Sequence, residues 1–299
     1  MELFSYPFRA MGSPCELQLY CHSREEFERC YRSAENEVIR LEKKYSRYLS
    51  NSVTSAINAA GKAGGNISLD DETAAIIDFA DQCYQLSDGL FDISSGYFRN
   101  LWDFRSQQVP SPTEVENALH FVGWKKITWN RPTLTFSQPG MELDFGGCVK
   151  EYAVDAATSL LKSMNITAGV VDLGGDIGVI GPHPDGAPWL IGIRHPRQEP
   201  NPVAMIPLTS GALTSSGDYE RFFIKNDQRY CHIINPETGF PANQCQSVSV
   251  MAEQAVVAGA ASTIAFLKGS KKAMYWLEEM GLTYLLIDPQ GNVHQNTPE

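Results

Sequence analysis

The chain has 299 residues, with 35 acidic against 24 basic side chains and a formal net charge of −11. That balance argues against general nucleic-acid binding, which needs a positive field to displace counterions from phosphates. Hydrophobic residues make up 43% and aromatics 10%, the composition of a folded protein with a sizeable core, so disorder is not the default.

No run of about twenty apolar residues marks a membrane span, and the opening MELFSYPFRAMGSPCELQLY lacks the basic-then-apolar pattern of a signal peptide. Seven scattered cysteines without a CxxC pair fit free thiols in a reducing cytoplasm better than disulfides or a zinc site.

Residues 1–22 read as strand material around a turn at Gly12-Ser13-Pro14, with Cys15, Leu17, Leu19 and Cys21 alternating with more polar neighbours. Phe27, Tyr31, Val38, Leu41 and Tyr45 lie at helical spacing over 24–45. A second helix is expected over Asp70–Ser87, capped by Asp70 or Asp71. A short helix (Thr113–Val122) precedes strands at Ile127–Trp129 and Thr133–Phe136, and a helix over Lys150–Met164 has Tyr152, Ala153, Ala156, Ala157 and Leu160 on its inner face.

Strands are then expected at Gly169–Val179, Trp189–Arg194, Val203–Leu208, His232–Ile234 and Val248–Ala252. Helices at Val256–Lys268 and Lys271–Gly281 and a strand at Tyr284–Asp288 complete the chain. The order lacks a regular βαβ rhythm, so the fold class is α+β with mixed sheets and packed helices. The Pro-rich seam at 107–112 is the one candidate boundary, dividing a single domain, 1–299, into lobes 1–110 and 111–299.

Three segments have the composition of a binding cleft. In Glu142-Leu143-Asp144-Phe145-Gly146-Gly147-Cys148-Val149-Lys150 a strand-like run enters paired glycines and then a helix. The glycines permit positive φ and close ligand approach, and the helix N-terminus offers N–H groups to an anion. A plain strand-to-helix turn is the alternative.

In Val170-Val171-Asp172-Leu173-Gly174-Gly175-Asp176-Ile177 a second glycine pair interrupts a buried strand. A bulge explains one such element; two close together favour a shared cleft. In Thr214-Ser215-Ser216-Gly217, small hydroxyl residues before a glycine suggest a turn that binds phosphate or a ring edge. His232 is either a general base near neutral pH or a structural histidine. These residues alone support a cleft-forming, enzyme-like domain with an anionic ligand.

Taken in order, a longer set of segments resembles the ApbE family of FAD:protein FMN transferases. It runs through Met11-Gly12-Ser13, Tyr45-Ser46-Arg47-Tyr48 with Asn58, Gly89-Leu90-Phe91-Asp92-Ile93-Ser94-Ser95-Gly96, and Leu101-Trp102. It continues through Leu143-Asp144-Phe145-Gly146-Gly147 with Lys150, Tyr152-Ala153-Val154-Asp155, and Asp172-Leu173-Gly174-Gly175-Asp176. Ser216-Gly217-Asp218-Tyr219-Glu220-Arg221, His232 through Gly239, and Ala261-Ser262-Thr263 close it.

The resemblance implies an ApbE-like, T-fold-like α+β architecture with an FAD cleft between two lobes. It implies transfer of FMN from FAD to a threonine or serine hydroxyl of an acceptor flavoprotein, with release of AMP and help from Mg2+. Carried over by position, His232 is the catalytic base. Met11, Tyr48, Phe91, Asp92, Asp144, Lys150, Ser216 and Gly217 bind FAD. Gly147, through its carbonyl, and Thr263 face the metal. FAD and the acceptor are the partners; nucleic acid and membrane insertion are not expected.

The resemblance fails at one metal position. An aspartate is expected four residues before Thr263, and Gly259 stands there, so Mg2+ binding is expected to weaken. Glu151 replaces a usual glycine after Lys150, and Cys231 a common histidine before His232. Glu151 either supplies the missing carboxylate or points to solvent. Two rival functions follow from Gly259: a catalytically silent FAD-binding protein, or an FAD pyrophosphatase giving FMN and AMP.

Overall fold

The computed structural model describes residues 1–198 and 201–296. Strands β1 (Glu2–Ala10) and β2 (Ser13–Cys21) pair antiparallel across Met11-Gly12, both at positive φ (53° and 72°). Alternation along β2 buries Cys15, Leu17, Leu19 and Cys21 on one face. Ser23 caps α1 (Arg24–Tyr45), whose buried stripe of Phe27, Cys30, Ala34, Val38, Leu41 and Tyr45 lies at three- and four-residue spacing.

There follow α2 (Val53–Ala63), β3 (Asn66–Ser68), α3 (Asp71–Leu86, capped by Asp70), a 3-10 segment (Ile93–Asn100), and α4 (Pro112–Leu119). Next come β4 (Ile127–Asn130), β5 (Thr133–Phe136), α5 (Val149–Ser163), β6 (Gly169–Leu173) and β7 (Asp176–Gly181). The second half comprises β8 (Trp189–Arg194), β9 (Pro202–Leu208), β10 (Gly211–Gly217), β11 (Phe222–Lys225), β12 (Gln228–Cys231) and β13 (Ser247–Ala252). It closes with α6 (Ala255–Lys268), α7 (Ser270–Glu279), β14 (Thr283–Ile287) and β15 (Val293–Gln295).

The main sheet has eight strands in the order β1-β2-β6-β7-β10-β13-β14-β15, every neighbouring pair antiparallel. α5 packs on β6 and β7, α6 on β10 and β13, and α1 on α5, so helices cover the sheet where its core side chains project. β3-β5-β4 form a small sheet, and β8-β9 and β11-β12 are two-stranded. The architecture is α+β with packed helices, as the sequence indicates, and its sheets among the described residues are antiparallel where mixed ones were expected.

Three local expectations are corrected. Gly169–Val179 is not one strand: Gly174 and Gly175, at φ 66° and 89°, turn it into the β6-β7 hairpin. Ser216-Gly217 is no turn but the end of β10, which is held between β7 and β13. His232–Ile234 is not a strand; β12 ends at Cys231, and His232 follows it as a bend.

The segment before α5, residues 141–148, joins no ladder and ends in a turn. Asn58 of α2 takes the place of a strand partner: its Nδ2 donates to the Leu143 carbonyl (3.0 Å) and its Oδ1 accepts from the Leu143 N–H (2.7 Å). Gly61, one turn further, lets the chain come close, since a Cβ there would stand 2.4 Å from the Met141 carbonyl oxygen. All seven cysteines are buried free thiols, and among the described residues no helix is long and apolar enough to cross a membrane.

Candidate active site

Asp144 follows the segment that Asn58 pins. Its N–H donates to the Ile93 carbonyl (2.8 Å), and its carboxylate receives Arg99 Nε (2.8 Å) and Arg47 Nη1 (3.0 Å). Arg99 also donates to the Tyr48 hydroxyl at 3.2 Å, holding the edge of a ring that is 81% exposed. An aromatic face left open beside a cation is a stacking platform for a planar ligand. Phe91 is buried and lies beneath the next glycine, its ring 3.5 Å from where a Cβ of Gly147 would stand. Gly146 and Gly147 do not use the positive φ expected of them; what they contribute is absent bulk.

At the start of α5, Cys148 gives no side-chain cap, so the helix end is closed by no side chain of its own. Lys150 Nζ lies 2.8 Å from Asp176 Oδ2, at the first position of β7. Glu151, the next residue, is buried beside the same aspartate. Burial first, and then the neighbouring Asp176 charge, hold its carboxyl well above the usual carboxylate range.

On the other side, Ser216 Oγ of β10 lies 3.0 Å from Thr263 Oγ1 and 2.9 Å from Ser262 Oγ, both on α6. The Tyr219 ring lies over Gly217, where a Cβ would stand 2.2 Å from it.

His232 owes its place to the β11-β12 hairpin. Phe222 pairs with Cys231, and the His232 N–H adds one further bond, to the Arg221 carbonyl (3.0 Å). The residue is exposed at the surface, with protein packed around the rest of the ring. That desolvation, and the positive charges of Arg221, Arg99 and Lys150, push the imidazole from 6.5 down to about 4. Water on the open side moderates the first cause; the three cations act regardless. The ring is neutral at pH 7, with a lone pair free to take a proton.

Two of those cations are committed, Arg99 to Asp144 and Lys150 to Asp176. Arg221 forms no ion pair among the described residues, and one of its terminal nitrogens is 3.7 Å from where a Cβ of Gly12 would be. The Met11-Gly12 turn, Arg221 and His232 therefore lie together, and Gly174 brings the β6-β7 turn against Ser13, 2.6 Å from its missing Cβ.

The expected residues thus fall into small linked groups, with one exception. Asp92 is spent inside the fold: its carboxylate accepts from Ser94 N–H (2.8 Å), Ser94 Oγ (2.6 Å) and Trp124 N–H (2.9 Å). Arg99, Arg221 and Ser262 join the site without having been given a role; no spacing rule marks them, because each comes from a bend or a helix whose neighbours lie elsewhere. A separate concavity of about 230 Å³ is lined by Arg197, Asp218 and Arg229, but Arg197 is committed to the Asp218 carboxylate through both terminal nitrogens. It contains none of the residues above.

With this geometry in view, the chain can be compared with known proteins. The ApbE family model matches residues 11–286. The FAD:protein FMN transferase of Haemophilus influenzae is 30% identical over 255 residues, covering 82% of this chain and 74% of that protein. That of Treponema pallidum is 28% identical over 305 residues, covering 95% and 84%. The crystal structure of the ApbE protein from Thermotoga maritima superposes with a TM-score of 0.91 at 30% identity, covering 98% of this chain and 97% of that one. The apo flavinyl transferase ApbE of Pseudomonas stutzeri gives 0.87 at 25% identity, covering 98% and 94%. The chain belongs to the ApbE family.

Proposed function

We propose that this chain is an FAD:protein FMN transferase that moves FMN from FAD to a threonine or serine hydroxyl of an acceptor flavoprotein and releases AMP. The observation that carries this is His232: an imidazole held neutral beside Arg221, whose guanidinium pairs with no carboxylate among the described residues. In the proposed step the acceptor oxygen bonds to the phosphorus of the FMN half as the bond to the AMP oxygen breaks. His232 takes the hydroxyl proton. Arg221, which pairs with no carboxylate among the described residues, faces the diphosphate, and the open Tyr48 ring offers a face to one of the aromatic ring systems.

The family resemblance implies a divalent cation. Among the described residues no group of three or more His, Cys, Asp or Glu converges, so a carboxylate cage does not fit. A smaller oxygen set is at hand: Glu151 Oε2 is buried without a hydrogen-bond partner among the described residues, its carboxyl lies against that of Asp176, and the Ser216 hydroxyl of β10 meets that of Thr263 on α6. Gly147 would add its carbonyl. Such a cation, when bound, offsets charge on the diphosphate oxygens. The chain's own residues orient the substrate and move the proton.

The absence of a carboxylate at Gly259 favours one rival, a protein that holds FAD without cleaving it. Incubation with FAD and Mg2+, with and without a threonine-bearing acceptor, separates the readings. Covalent flavin on the acceptor together with AMP is expected. Free FMN and AMP in both tubes would make the protein a pyrophosphatase, and intact bound FAD would make it a carrier.

A further inference from the structure

The N-terminal half of α5 and the first turns of α6 run antiparallel and in register. Asp155 Oδ1 and Oδ2 accept from the N–H groups of Ala255 (2.7 Å) and Val256 (2.9 Å), supplying the cap that Gln254 does not give. Glu151 lies four residues before Asp155, on the same helical face. It meets α6 at Gly259, four residues beyond Ala255. A Cβ on Gly259 would stand 2.4 Å from Glu151 Cγ, 3.0 Å from Cδ and 3.2 Å from Oε1. The glutamate therefore occupies the space where a side chain of residue 259 would stand.

This arrangement is costly on two counts. A glycine inside a helix lacks the conformational restriction that favours alanine, and a buried carboxylate needs partners to offset lost hydration. Glu151 keeps 8% of its surface; its carboxyl lies against that of Asp176, and its Oε2 has no hydrogen-bond partner among the described residues. The nearest cation, Lys150, is already held 2.8 Å from Asp176.

The surroundings supply hard oxygen. Ser262 Oγ donates to the Gly259 carbonyl (3.0 Å), and the Ser216, Ser262 and Thr263 hydroxyls meet one turn further along α6. On β10, Thr214 Oγ1 is a second buried oxygen without a partner. Carboxylate and hydroxyl oxygens, with no thiolate or imidazole among these residues, are the donors of Mg2+ and its analogue Mn2+.

We propose that Glu151 is the carboxylate ligand of a divalent-cation site between α5 and α6, admitted by the missing side chain at Gly259. The proposal rests on the transferase reading only for the identity of the bound substrate; cation binding itself is independent of turnover.

The test is titration of the whole purified protein with Mn2+, followed by the loss of the free-ion electron paramagnetic resonance signal, with and without FAD. Wild type is expected to bind with FAD present. Glu151→Gln, which keeps the shape and removes the charge, is expected to weaken Mn2+ at least tenfold while FAD affinity without cation stays within a few-fold. The double variant Glu151→Gly with Gly259→Asp moves the carboxylate to the other helix at the same point in space. It is expected to restore Mn2+ affinity to within a few-fold of wild type.

Unchanged Mn2+ affinity in Glu151→Gln would overturn the proposal, as would absence of Mn2+ binding by wild type. So would failure of the exchanged pair to restore it while still folded by circular dichroism and binding FAD. A wild type that binds Mn2+ through Glu151 but transfers no FMN would sink the transferase reading and leave the cation site standing.

Discussion

Substitution of Gly259 by alanine tests the packing of Glu151 without reference to any ligand. At a solvated or loosely packed helix position, glycine to alanine stabilises by about 1 kcal/mol, because alanine loses less backbone entropy on folding. Here the new methyl would stand 2.4 Å from Glu151 Cγ, well inside contact distance. That atom is near the root of the side chain, so it cannot swing clear without moving the whole buried group. Overpacking of this kind costs about 1–3 kcal/mol, so Gly259→Ala is expected to destabilise by up to about 2 kcal/mol.

In a Glu151→Ala background the obstruction is gone, and the same substitution is expected to stabilise by about 0.5–1 kcal/mol. The sign reverses, with a coupling of about 1–3 kcal/mol between two helices. The assay is urea denaturation of the four proteins of the cycle, with midpoints compared at constant m-value. If Gly259→Ala stabilises the wild-type chain, or the two substitutions add within about 0.5 kcal/mol, Glu151 does not fill that space.

Three further outcomes follow from the same geometry. Asp155→Ala removes both bonds to the start of α6 and should cost about 1–3 kcal/mol in urea denaturation, with Asp155→Asn in between; no loss would mean that water caps the helix equally well. The depressed His232 value means the base form persists as pH falls through 6.5, so kcat/KM should hold until the pH approaches 4–5; a midpoint at or above 6.5, with the fold intact by near-ultraviolet circular dichroism, contradicts it. Arg221→Gln should weaken FAD on the order of tenfold, the scale of a charge-assisted bond, but leave riboflavin, which has no phosphate, nearly unchanged; equal weakening of both would remove Arg221 from the diphosphate.

The long amphipathic helices and the first hairpin are legible in the sequence because their apolar residues repeat at 3.6 or at 2. α2 is not, because the face it buries is Thr54, Ile57, Asn58 and Gly61. Its job is to hold Leu143 through an amide and admit Met141 through a missing Cβ, so hydrophobicity is the wrong signal. β10 is hidden for a related reason. Ala212, Thr214 and Ser216 are small, and local propensity favours a turn, but pairing with both β7 and β13 makes the segment a strand. The glycine pairs point to the cleft, yet Gly174 and Gly175 act by positive φ while Gly146 and Gly147 act by lack of bulk. Asp92 shows the converse: its neighbours mark a site, but Ser94 and Trp124 consume its carboxylate.

The sequence links Glu151 to the carboxylate missing at Gly259 only through the family resemblance, and the contact between α5 and α6 gives that link a geometry. On its own, a glutamate in a first helical turn is a favourable dipole partner, and a glycine amid alanines is a weak spot in a helix. The register set by Asp155 on Ala255 and Val256 changes both, because it fixes which residue of α5 faces which residue of α6. Once 155 meets 255, antiparallel helices with the same rise bring 151 opposite 259. A carboxylate on either helix then reaches one volume, and two cannot share it: the 2.4 Å approach leaves no room, and two buried like charges repel. The glycine at 259 thus makes room for the glutamate at 151, and a side chain added at 259 is tolerated best when the one at 151 is shortened.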